Sequence, residues 1–76
     1  MFVFLNADNR SIIVSIDQQV VGRAVNAMEL AEIFAVNNIT TENDIFCSSS
    51  IDFAAEEGFD GDSDAHNMID EALGIS

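Results

Sequence analysis

The stretch SIIVSIDQQVVGRA at residues 11–24, followed by NAMELAEIFAVNN at 26–38, decides the fold. Its first part alternates. Ile12, Val14 and Ile16 share one face of an extended chain, with Ile13 and Ser15 on the other, because successive strand side chains point to opposite sides. Asp17-Gln18 can close a tight turn, and residues 19–24 are expected to return as another strand, weakened by Gly22, which has no side chain to pack. The second part is helical. Asn26 is a favoured N-cap with Glu29 three residues on, as in a capping box, and Val25 and Leu30 can form a hydrophobic staple around it. Ala27, Leu30, Ala31 and Phe34 then recur at i, i+3, i+4 and i+7, giving one buried face, while Glu29 and Glu32 point away. Asn37 and Asn38 end the helix. Ile33 and Val36 fall off the buried stripe and are expected at the surface.

Working outward, Phe2-Val3-Phe4-Leu5 reads as a strand, and Asn6-Ala7-Asp8-Asn9 is turn chemistry. The N-terminal third is therefore a three-strand meander. After a linker at 40–43, residues 44–48 form a fourth strand with Ile45 and Cys47 on one face and Phe46 on the other. Ser49, with Asp52 three residues later, resembles a helix start, so 51–57 is a short second helix with Gly58 as its C′ glycine. Residues 59–63 are a loop. In 65–73, Ala65, Met68, Ile69, Ala72 and Leu73 line one face of a third helix that Gly74 ends. The order β-β-β-α-β-α-α predicts an α+β fold, a small antiparallel sheet with helices packed on one face, in a single domain spanning 1–76.

Composition narrows the function. The chain has 76 residues, 49% of them hydrophobic, with 14 acids against Arg10 and Arg23, no Lys, and a net charge of −12. A core at this size supplies only about 3–5 kcal/mol of net stability. The apolar fraction argues for a folded chain with surface left over for a partner or a homodimer contact. Direct binding to nucleic acid or to anionic membranes is excluded, since both need clustered cations. A single cysteine forms no internal disulfide, so Cys47 is expected as a buried thiol in a reducing compartment. Residues 1–5 are too short for a signal sequence, and no run approaches a membrane span, which points to a soluble cytoplasmic protein.

Ten of the acids lie between Glu42 and Glu71, a span with no cation. Within it, Asp60, Asp62, Asp64 and Glu71 fall at positions 1, 3, 5 and 12 of an EF-hand-like calcium loop. Against that reading, position 6 is Ala65 rather than Gly, position 8 is the polar Asn67, and helical periodicity begins inside the loop. Cys47 and His66 lack the orienting third group and oxyanion donors of a nucleophilic site. The serine run 48–50 lacks the flanking glycines of a nucleophile elbow, and there is no glycine-rich phosphate loop. Neither catalysis nor a cofactor is expected. What remains is the acidic surface: Asp52, Glu56, Glu57, Asp60, Asp62, Asp64, Asp70 and Glu71 as partner-binding carboxylates standing in for phosphates. A solvated face kept acidic for solubility, a structural subunit, and an organism with an acid-rich, Lys-poor proteome fit the same composition.

Small size, strong acidity and a compact α+β layout resemble the phage-encoded inhibitors of bacterial defence, the anti-CRISPR proteins and other DNA mimics. The resemblance is one of type and composition and carries no functional position across. It implies a basic nucleic-acid-binding partner, a CRISPR effector complex or a restriction system, acting in the cytoplasm of the host cell.

Overall fold

The computed structural model describes residues 1–54 and 64–74. Its elements are β1 (Phe2–Asp8), β2 (Ser11–Ile16), β3 (Gln19–Ala24), α1 (Ala27–Val36), β4 (Asp44–Cys47), α2 (Ser49–Ala54) and α3 (Ala65–Leu73). The four strands form one sheet in the order β3-β2-β1-β4.

The fold is α+β, but the sheet is mixed rather than antiparallel. β1, β2 and β3 form the meander, whereas β4 pairs with β1 in parallel, with Val3 opposite Ile45 and Leu5 opposite Cys47. The cause is topological. Strands β1 and β3 point the same way, and the chain crosses from β3 through α1 to the far edge. Such a crossover delivers the next strand parallel to its neighbour, whereas a hairpin would reverse it.

Two tight turns make the meander. Asp17 and Gln18 both have positive φ, 48° and 73°, and so do Asn9 and Arg10, at 53° and 64°. Two consecutive positive φ values mark the type I′ hairpin, whose twist matches that of the strands. The first turn lies beyond the expected 6–9 segment, because β1 runs on to Asp8. Asn6 and Ala7 continue the ladder opposite Ile13 and Ile12. The amide of Asn6 is also held in place: its Oδ1 accepts from the hydroxyls of Ser48, at 2.8 Å, and Ser50, at 2.5 Å. The Ser50 hydroxyl in turn accepts the Ala7 N–H at 2.9 Å, which ties the start of α2 to β1.

Alternation sets the core. Val3, Leu5, Ile12, Val14 and Ala24 face the helices and are buried with Leu30 and Phe34 of α1, Ile39, Ile51 of α2, and Ala65, Met68 and Ile69 of α3. Each such large side chain adds about 1.5–3 kcal/mol of transfer free energy, which fixes strand register, since a one-residue slip would expose the whole set.

The cap of α1 forms as the sequence implies. The Asn26 side chain accepts the Glu29 N–H at 2.9 Å, and the Glu29 carboxylate accepts the Val25 N–H at 3.2 Å. Val25 nevertheless stays 49% exposed. At the other end Asn37 is the C-cap, and Asn38 follows with φ of 58°. Ile33 departs from expectation. It packs against the core because Gly22 lets α1 approach: a Cβ on Gly22 would stand 2.7 Å from Ile33 Cδ1. Val36 is exposed as expected. Helix α2 begins at Ser49, earlier than expected, and residues 55–58, with its expected C-terminal end, lie outside the described residues. The loop at 59–63 lies outside them too. Helix α3 matches its expected span and ends on Gly74 at φ of 78°, the left-handed conformation glycine adopts freely. No helix among the described residues is long and apolar enough to cross a membrane.

Candidate functional site

The acidic surface is built on short elements. Asp52 stands on α2 and Asp70 and Glu71 on α3, all exposed. Helices α2 and α3 pack against each other, and both Asp52 and Asp70 lie close enough to Cys47 to act on its thiol. Asp64 is half-buried, and its Oδ1 accepts the Asn67 N–H at 2.8 Å as the N-cap of α3. That oxygen serves the helix. An EF-hand-like loop would need Asp64 on the ion and residues 65–70 still in the loop, whereas here they are helical. Glu56, Glu57, Asp60 and Asp62 lie outside the described residues. Among the described residues, no group of three or more His, Cys, Asp or Glu side chains could hold a metal ion.

Cys47 lies beside this surface. It was expected to be buried, but it is exposed, because β4 is an edge strand of only four residues and Cys47 is its last. Surrounding protein still desolvates the thiol and, with the charges of Asp52 and then Asp70, raises it above its ordinary value of 9.0. Near neutral pH the thiol is therefore protonated and a poor nucleophile. The His66 imidazole Nε2 lies 3.1 Å from Asp52 Oδ1 and bridges α3 to α2 at the surface.

The described chain is strongly and openly charged. Nine of its ten carboxylates are exposed, with Asp64 the exception. The ion pairs among the described residues are Arg23–Asp8 at 3.6 Å and His66–Asp52. Ten carboxylates against two arginines leave −8, spread along a longest dimension of 30 Å.

Two further surfaces stand apart from these carboxylates, one aromatic and one a mixed apolar and charged groove. On the sheet face away from the helices, Phe2 stacks on Phe46 with ring centroids 4.7 Å apart, and Phe46 is 49% exposed. The alternation that buries Val3 and Leu5 puts Phe2, Phe4 and Phe46 on the opposite face, so this surface was legible in the sequence. The second is a groove of about 380 Å³ between β3 and α1, lined by Val21, Arg23, Glu29, Glu32, Ile33, Val36 and Asn37. It was not foreseen, because it depends on where α1 lies against the sheet edge.

No family model matches the chain, and neither the curated proteins nor the solved structures searched contain a match.

Proposed function

We propose that this chain is a non-catalytic, acidic binding protein that occupies the nucleic-acid-binding surface of a basic partner. Its carboxylates take the place of phosphates, in the manner of the anti-CRISPR and DNA-mimic inhibitors it resembles in size and charge. The observation that supports this most is the uncompensated surface: nine exposed carboxylates in the described chain, with one arginine paired across the sheet. Self-repulsion of that size weakens a small fold and is relieved when cations dock against it. On this reading Asp52, Asp70 and Glu71 make contacts with arginines and lysines, while Asp64 mainly holds α3 in place. The raised Cys47 thiol favours a binding role over nucleophilic catalysis. A basic defence complex in the host cytoplasm, where a free thiol stays reduced, is the partner class that fits.

The test is capture from bacterial lysate on immobilised chain, followed by competition with duplex DNA. The proposal expects the captured protein to be a nucleic-acid binder that DNA releases. A captured protein that still binds DNA normally with this chain attached would refute it.

A further inference from the structure

We propose that the groove between β3 and α1 is a second docking site, which receives an extended segment of a partner chain as an added strand. The segment carries an aliphatic side chain and a Lys or Arg two positions apart. β3 is an edge strand with β2 as its one neighbour, so alternate backbone N–H and C=O groups point outward along its free side. Proteins usually guard such an edge with Lys, Pro, an inward-turned charge or a bulge that twists it away, and of these β3 carries the bulge. β3 has no Lys or Pro, and its one charge, Arg23, pairs with Asp8 two strands away. Its ladder is interrupted by a bulge: Gly22 pairs with Val14 and Val20 with Ser15, leaving Val21 as the extra residue. A bulge re-aims a side chain, and here Val21 lines the groove.

The chemistry of the facing helix selects the occupant. The flank of α1 along the groove carries Glu29 and Glu32 towards its N-terminal end and Ile33 and Val36 towards its C-terminal end. Among the described residues neither glutamate pairs with a cation, although Glu29 also accepts the Val25 N–H; Arg23, which lines the groove as well, is paired with Asp8, and Val36 is 75% exposed. Four helical residues rise about 6 Å, and two strand residues advance about 6.6 Å. Side chains at i and i+2 of an added strand would therefore meet the acidic and apolar halves of the flank together. A second copy of this chain is disfavoured as occupant, because it would bring the same two glutamates and a net charge of −12 to an acidic groove.

This surface is separate from the carboxylates of α2 and α3, so either proposal can fail alone. The probe is the peptide Lys-Thr-Val-Thr-Lys-Thr, capped at both ends and titrated into the full isotopically labelled chain while its amide signals are followed. Shifts should concentrate in β3 and along α1 from Glu29 to Val36. Methylating alternate peptide nitrogens, which blocks strand addition, should weaken binding about tenfold or more, and replacing both Lys by Glu should abolish it. Val36→Asp, an exposed change outside the carboxylates, should weaken it at least about tenfold while leaving the unfolding midpoint and competition with DNA intact, and Glu32→Lys should weaken it by as much. Shifts confined to α2 and α3, affinity unchanged by methylation, or a free protein already dimeric through β3 would each overturn the proposal.

Discussion

Gly22→Ala probes the packing of α1 on the sheet. The added methyl would stand 2.7 Å from Ile33 Cδ1, 3.0 Å from Cγ1 and 3.3 Å from Cγ2. Carbon atoms rest at about 3.5–4.0 Å, so Cδ1 must retreat by about 0.8 Å or more and Cγ1 by about 0.5 Å. Cδ1 ends a flexible chain and can swing aside cheaply. Cγ1 and Cγ2 both branch from the Cβ of Ile33, so rotating one away does not free the other, and α1 itself must shift. Overpacking of this kind costs about 1–3 kcal/mol. The lower chain entropy of alanine in the unfolded state returns about 0.4–1 kcal/mol. The expected net loss lies between about 0 and 2.6 kcal/mol, centred at about 1.3 kcal/mol, or several degrees in melting temperature at this size. Urea unfolding with an unchanged m-value reads it directly. Ile33→Ala removes Cδ1, Cγ1 and Cγ2 together and alone costs about 2 kcal/mol or more. Combined with Gly22→Ala, it should cost clearly less than the sum, since the two sites share the contact. A more stable Gly22→Ala protein, or strict additivity in the double variant, would show that α1 does not lie against Gly22 as described.

Other tests are simpler. Gln18→Gly should stabilise the chain by about 0.5–1 kcal/mol in thermal unfolding, because Gln18 sits at a φ of 73° that costs a side-chain-bearing residue more than glycine. Asp64→Ala should cost about 1 kcal/mol through loss of the α3 cap, and calorimetric titration of the wild-type chain with calcium should show no tight site. The Cys47 thiol is raised in the folded state, so its stabilising effect is complete below the ordinary value of 9.0 and is lost as pH rises through the folded value. Stability should therefore fall above pH 9.0 more steeply than in Cys47→Ser, and alkylation of native Cys47 should be slow at neutral pH.

The sequence predicts what is local and misses what is set by tertiary placement. Asp17-Gln18, the Asn26 cap with Glu29, and Gly74 after Leu73 all act within a few residues, so the turn, the start of α1 and the end of α3 were readable. The direction of β4 was not. Four residues reveal which side is apolar but not which neighbour they join, and the crossover through α1 decides that. Gly22 read as a weakness in a strand, whereas it admits Ile33. Cys47 read as a core thiol on composition, but its place at the end of an edge strand leaves it exposed. The candidate site divides the same way. Outward-facing acids on α3 follow from its period, while the approach of Asp52 and Asp70 to Cys47 joins three elements that no spacing connects. The groove beside β3 likewise required the sheet order, which places β3 at an edge.

The central claim is that surface carboxylates take the place of nucleic-acid phosphates, and a salt titration tests it most directly. With the captured partner holding labelled duplex DNA, displacement by this chain is measured from about 50 to 200 mM salt, for wild type and for Asp52→Asn, Asp70→Asn and Glu71→Gln. The account predicts stoichiometric displacement that weakens as salt rises. It also predicts uneven losses, with one or two neutralisations costing about 2–5 kcal/mol and the others little, because only desolvated pairs carry affinity. A ternary complex that keeps its DNA, or displacement indifferent to both salt and the three neutralisations, would contradict it.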